Sequence, residues 1–233
     1  GGKDFCLAHE SVNIDKLIAA MIRGAFEYQG QKCSALSRAY LPKKIWSDFQ
    51  KKYIDELNSI KIGSPRDFTN FMNAVIDQNA FNSIKEYIEY AKNSKDAEII
   101  SGGNYDDSLG FFIEPTTILT TNPKFKTMQE EIFGPVLTIF LYNTDELDET
   151  IDLIDKTSSY ALTGCIMGEN NNFLSMATKK LRHSAGNFYI NDKPTGAVVG
   201  QQPFGGSRAS GTNDKAGSEL NLYRWVSVRT IKE

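Results

Sequence analysis

NIDKLIAAMIRGAFEYQGQKCSALSRAYL, residues 13–41, runs from a helical pattern through a short polar connector into a strand. Ile14, Leu17, Ile18, Met21, Ile22, Ala25 and Phe26 recur at helical spacing and predict a helix over Asn13–Gln29. Gly30 reads as its stop, and Leu36–Leu41 reads as the strand that follows. The same alternation continues outward. Helices are expected over Lys43–Ser59, Asn79–Ser94, Asp145–Lys156 and Asn172–Arg182, and strands over Ala97–Ser101, Thr116–Thr121, Val136–Tyr142, Leu162–Met167 and Gly186–Asn191. Helices and strands in this order predict an α/β fold: βαβ units on a mostly parallel sheet. Two segments stand outside the alternation. Thr195–Gly217 is a long Gly-rich loop, of a length that in a compact domain is usually functional. Leu222–Ile231 reads as a strand that must add to a sheet edge, in this chain or in another subunit.

Inside the opening stretch, Cys33 sits on the connector between two rigid elements, where a side chain is both held and reachable. Once deprotonated, a thiol is also the strongest side-chain nucleophile near neutral pH. A buried, inert cysteine is the alternative, but Gly30, Gln31, Lys32 and Ser34 make an apolar surrounding a poor fit. Cys165, in the apolar run Leu162–Met167, reads as packing. With Cys6 the chain holds three cysteines, an odd number without CxxC spacing, so neither a disulfide framework nor a zinc site is indicated, and a reducing compartment fits.

The 233 residues are 40% hydrophobic and 24% charged with a net charge of −3, the profile of a globular protein with a substantial core. No dense Lys/Arg stretch points to nucleic acid, and no apolar run has the length of a membrane span. Gly1-Gly2-Lys3-Asp4-Phe5 opens without Met and reads as the middle of a longer sequence.

Two further motifs carry candidate chemistry. In Gln129-Glu130-Glu131-Ile132-Phe133-Gly134-Pro135-Val136, two carboxylates precede a turn that feeds an apolar strand. Such a carboxylate can take ribose hydroxyls and the aromatic can support a flat ring; a solvated helix end is the plainer reading. Gln201–Gly211 resembles a phosphate cradle only superficially, since it lacks the P-loop lysine and a strand leading into it. A loop that offers backbone N–H groups and the aromatic Phe204 to a ligand is the better reading. His9 and His183 have no partner at motif spacing and read as structural.

GQKC behind an aromatic, EEIFGPV about a hundred residues on, and then PFGG followed by SG, resemble in that order the aldehyde dehydrogenase superfamily. Gly1-Gly2-Lys3 is similar to the end of its Glu-x-Gly-Gly-Lys segment. More narrowly, Phe26–Ala35 and Thr195–Gly206 resemble the branch that oxidises glutamate γ-semialdehyde. The Ala216-Gly217-Ser218 that follows Lys215 departs from the Pro/Gly-rich stretch expected there.

The resemblance implies a three-layer catalytic domain over residues 1–220, with an oligomerisation strand over 221–233. It implies an NAD-dependent enzyme of proline catabolism in which Cys33 attacks the aldehyde to give a hemithioacetal, which passes hydride to NAD and becomes a thioester. Glu131 would bind the nicotinamide ribose and Phe133 would lie against the nicotinamide. Ser34, Gly196 and Ala197 would hold the amino-acid end of the substrate, with Phe204 on its aliphatic stem. The family's general base and its N-terminal NAD-binding domain fall upstream of Gly1, so the isolated chain is expected to be inactive. A small aldehyde, the missing NAD-binding domain and a second copy of the chain are the implied partners; a bacterial cytoplasm, or a mitochondrial matrix in a eukaryote, is the implied compartment. Another aldehyde substrate, or a non-catalytic oligomerisation or interaction fragment, are the competing readings.

Overall fold

The computed structural model describes all 233 residues. In chain order the elements begin β1 (Asp4–Ala8), α1 (Ile14–Phe26), β2 (Leu36–Pro42), α2 (Lys43–Asn58), α3 (Gln78–Lys92) and β3 (Ala97–Ser101). After the short β4 (Tyr105–Asp106) and β5 (Phe112–Ile113) come β6 (Thr116–Thr120), α4 (Lys126–Gln129), β7 (Val136–Tyr142) and α5 (Leu147–Thr157). The chain closes with β8 (Tyr160–Ala161), β9 (Thr163–Met167), α6 (Asn171–Lys180), β10 (Asn187–Ile190), β11 (Ser207–Arg208) and a turn of helix, α7 (Glu219–Leu222).

Seven strands form one sheet in the order β10-β9-β1-β2-β7-β6-β3. All neighbours run parallel except β3, which pairs antiparallel with β6 at the edge. Because side chains alternate across a strand, the two faces of the sheet build separate cores. Phe5 and Leu7 of β1 join Phe81, Ile84, Ile88, Ile151, Ile154 and Phe173 under α3, α5 and α6. Cys6 and Ala8 join Leu17, Met21, Phe26, Ile45, Phe49 and Tyr53 under α1 and α2. The fold is therefore a three-layer α/β sandwich with a parallel-dominated sheet.

The expected helices and strands are present with small shifts at their ends. The N-cap explains one of them: Asn13 accepts the Lys16 N–H and starts α1 one residue later. Apart from the short β4, β5, β8, β11, α4 and α7, which the sequence pattern did not predict, two elements differ. The central strand β1 was not expected; all five of its residues are buried. The strand expected over Leu222–Ile231 does not form. Leu222 ends α7, Tyr223–Trp225 make a 3₁₀ turn, and the residues beyond pair with no strand. A strand needs a ladder partner, and none reaches this segment, which leaves Trp225 81% exposed.

Charge is buried at the head of β1. Arg38, only 2% exposed, donates from Nε to the Lys3 carbonyl at 2.8 Å and from Nη1 to Tyr40 Oη and the Ile154 carbonyl. Asp4 accepts the Thr163 N–H at 2.6 Å, tying β1 to β9. Burial drives both neighbouring groups toward neutrality: the Asp4 carboxyl is pushed up to about 8 and the Lys3 amine down to about 7. No helix is long and apolar enough to cross a membrane.

Candidate active site

Three of the sequence motifs converge at the amino ends of adjacent parallel strands. Gly2 leads into β1, Cys33 into β2, and Phe133 into β7. The connector that carries Cys33 is built from unusual backbone. Tyr28, Gln29 and Gly30 take left-handed φ values of 57, 59 and 65° in succession. For Tyr and Gln this conformation costs about 1–2 kcal/mol each, so the surroundings must impose it. They do so through side-chain hydrogen bonds. Gln29 donates to the Ala74 carbonyl and accepts the Asn73 N–H, and Gln31 accepts the Ile76 N–H at 2.8 Å. Gly30 is also pressed on the second motif, where any Cβ would collide with the Gly134 carbonyl. Phe133 itself holds a φ of 58°, so backbone strain borders the thiol on both sides.

Cys33, half-buried, opens onto a cleft of about 660 Å³. Ser34, Phe133, Gly196, Ala197 and Phe204 line it with Cys33. Ser34 Oγ lies 2.8 Å from Thr195 Oγ1 in a buried contact that joins the connector to the Gly-rich loop. Gly196 stands at φ +87° at the mouth. The far end of that loop is clamped to the body. Arg208 binds Asp155 at 2.7 Å, Lys215 donates to the Gly186 and Gly205 carbonyls, and Phe204 and Ala216 exchange two backbone hydrogen bonds. Ala216 and Gly217, the departure noted in the sequence, therefore form part of the cleft wall.

Six of the seven candidate residues thus meet in one cleft. Glu131 is the exception: its carboxylate accepts the Gly2 N–H at 2.9 Å, at the head of β1. The Lys32 ammonium, next to Cys33 in sequence, pairs with Glu27 at 3.2 Å. Thr195 and Gln202 line the site unforeseen; polar residues inside the Thr195–Gly217 loop were the only signal available. Gly2 packs so closely on the Cys33 carbonyl that a Cβ there would collide with it.

The electrostatics leave Cys33 as a thiol at rest. Burial raises it above the ordinary value, the Asp4 carboxylate adds to the rise, and Glu131 acts in the same sense; its own backbone N–H opposes them. Removing Asp4's charge should remove one of the two larger causes, so Asp4→Asn is expected to lower the pH midpoint of Cys33 alkylation by iodoacetamide without bringing it to the value of a free thiol. An unchanged midpoint would mean that Asp4 exerts no field at the sulfur. In the wild-type chain Cys33 is expected to label far ahead of Cys6 and Cys165, which are fully buried.

Residues 1–231 match the model of the aldehyde dehydrogenase family. The chain is 58% identical over 233 residues to the mitochondrial Δ1-pyrroline-5-carboxylate dehydrogenase of Dictyostelium discoideum, covering 100% of this chain and 42% of that protein. It is 49% identical over 234 residues to the mitochondrial enzyme of the same name from Bos taurus, with the same coverage. Among solved structures, the Δ1-pyrroline-5-carboxylate dehydrogenase of Mycobacterium tuberculosis bound with NAD aligns with a TM-score of 0.91 and 47% identity, over 100% of this chain and 42% of that one. The chain spans less than half the length of these relatives.

Proposed function

The chain belongs to the aldehyde dehydrogenase family, and we propose that it is the catalytic part, residues 1–220, of an enzyme that oxidises L-glutamate γ-semialdehyde to L-glutamate with NAD. The supporting observation is the cleft, in which a nucleophilic residue, a polar clasp and two aromatics converge from segments far apart in sequence.

Cys33 Sγ attacks the aldehyde carbon and gives a hemithioacetal. Because the resting group is a thiol, its proton must pass to a base during attack. The family's glutamate, which the resemblance places upstream of Gly1, fits this task, since Gly2 already lies against Cys33. The Cys33 N–H, which no carbonyl of the chain engages, is free to support the oxyanion. NAD supplies the hydride acceptor, and loss of hydride from the hemithioacetal carbon leaves a thioester on Cys33. Water then cleaves the C–S bond, releasing the carboxylic acid and restoring the thiol.

Within this chain Phe133, strained and 47% exposed beside Cys33, and Glu131 are suited to the nicotinamide end of the cofactor. Glu131 holds the Gly2 N–H here and would share or exchange that contact for ribose hydroxyls. At the other end of the cleft, Ser34 and the backbone of Gly196 and Ala197 would take the substrate's carboxylate and amine, with Phe204 on the stem. Several N–H donors bind a carboxylate well. The exposed Tyr223, Trp225, Val226, Val228 and Ile231 support a further part of the reading, a C-terminal segment that finds its partner in a second copy of the protein.

The test is turnover of Δ1-pyrroline-5-carboxylate, the cyclised semialdehyde, by the protein at the full length of its relatives. One NADH per glutamate formed is the expected result. Glutamate formation without NADH, or no oxidation of this substrate, would overturn the reading.

A further inference from the structure

Beside the cleft lies a charge cluster that the catalytic steps above do not use. Glu27, at the end of α1, accepts from Arg23 Nε at 2.6 Å and from Lys32 Nζ at 3.2 Å, and Lys193 Nζ stands 4.0 Å from the same carboxylate. Lys32 lines the cleft. The Lys193 ammonium lies next to Gly196, a residue of the cleft wall, 3.6 Å from where a Cβ on Gly196 would sit. All three key side chains are mostly shielded, with 17% exposure at Glu27, 28% at Lys32 and 25% at Lys193. Burial alone would raise the Glu27 carboxyl, but hydrogen bonds from Lys32 and Arg23 and the charges of Lys193 and Lys32 bring it below the ordinary carboxylate range, so it is ionised at neutral pH. Three cations then face one carboxylate. Even with the exposed Asp192, whose side chain accepts the Lys193 backbone N–H at 2.7 Å, cations outnumber carboxylates within this cluster; the Asp4 and Glu131 carboxylates that act on Cys33 lie outside it.

We propose that Glu27 is a positioning residue that holds Lys32 in the cleft wall and Lys193 beside Gly196, where the positive charge of this cluster draws anionic electrophiles into the cleft and discriminates against neutral ones. This deepens the proposed function and rests on the reading of Ser34, Gly196 and Ala197 as a carboxylate clasp: the lysines bring the anion in, and the short polar contacts hold it. A partly shielded charge keeps more of its field than one on an open surface. Fixing both ammonium groups with one carboxylate also spares the rotamer entropy that free lysines would lose on binding.

The test uses two alkylating agents of similar shape. Iodoacetate is an anion and iodoacetamide is neutral; each forms an S–C bond at the Cys33 thiolate and expels iodide. Their rate ratio cancels the intrinsic nucleophilicity of the sulfur. In the folded chain the ratio is expected to fall severalfold as ionic strength rises from about 0.01 M to about 1 M, which shortens the Debye length from about 30 Å to about 3 Å. Lys193→Gln should lower the ratio about threefold to tenfold at low salt, and Lys193→Arg should keep it. Glu27→Gln separates positioning from net charge: it adds positive charge overall, yet the ratio should fall because the lysines lose their anchor. A ratio that ignores salt and is unchanged in Lys193→Gln would overturn the proposal, and a rise in Glu27→Gln would overturn the positioning role. Should Lys193→Gln fail to fold, the salt dependence of the wild-type chain decides. No aldehyde enters this experiment, so an enzyme with the expected ratio that leaves glutamate γ-semialdehyde untouched would sink the substrate assignment alone.

Discussion

Cys33→Ala in the full-length protein is expected to lower turnover of glutamate γ-semialdehyde by about 10⁴-fold or more while NAD still binds. The size follows from the mechanism. Loss of the nucleophile removes the covalent route altogether, and what survives is the rate that binding and polarisation alone support. Cofactor affinity should persist because Phe133, in the cleft wall, and Glu131, on the Gly2 N–H, belong to a different segment, residues 131–133, which leads into β7. The fold should tolerate the change as well, since Cys33 is half-buried in a cleft wall and belongs to neither apolar core. Steady-state kinetics with a fluorescence titration of NAD checks both halves. Turnover within tenfold of wild type would take Cys33 out of the nucleophile role; lost cofactor binding would show that the substitution had disturbed the neighbouring turn.

Discrimination between substrates should be nearly as large. Pentanal has the chain length of glutamate γ-semialdehyde and lacks its carboxylate and amine. A site built to hydrogen-bond a polar group rejects an analogue without it by about 10⁴-fold, because the donors are left unpaired. The full-length enzyme is therefore expected to show a kcat/KM for glutamate γ-semialdehyde about 10⁴ times that for pentanal. Ser34 is the residue through which to probe this preference. The residue is 8% exposed and its hydroxyl shares a 2.8 Å contact with Thr195, so Ser34→Ala removes one donor of the clasp and unties the loop behind it. That variant should lose a substantial part of the preference through KM for the amino-acid substrate, with pentanal little changed. Equal kcat/KM for the two aldehydes in the wild-type enzyme would favour a different aldehyde substrate.

Local signals carried much of this structure. The spacing of Ile14, Leu17, Ile18, Met21, Ile22, Ala25 and Phe26 is a helical stripe, and five of those seven side chains are buried. The β-branched run Val136–Tyr142 is a strand held between two neighbours. What escaped was set by distant partners. β1 offers only Phe5-Cys6-Leu7-Ala8, too short an apolar run to separate from a loop by periodicity, and its place at the centre of the sheet depends on β2 and β9. The antiparallel run of β3 at the edge has no local signature. Leu222–Ile231 has strand composition, yet strands form only where a ladder partner exists. At the site, sequence motifs marked Cys33, Phe133 and Phe204, while the contact between Ser34 and Thr195 joins residues 161 positions apart. Lys32 precedes Cys33 in sequence, yet its ammonium pairs with Glu27, five positions earlier than Lys32.

The covalent step on Cys33 is the centre of the account, and trapping its intermediate tests it directly. The full-length enzyme would be mixed with NAD and Δ1-pyrroline-5-carboxylate, quenched in acid during turnover, digested and analysed by peptide mass spectrometry. The expected result is a glutamyl thioester on the peptide that carries Cys33, present only when both substrate and NAD are supplied and lost on exposure to hydroxylamine. Sustained NADH formation with Cys33 unmodified at every quench time, or the acyl group on Cys6 or Cys165, would contradict it.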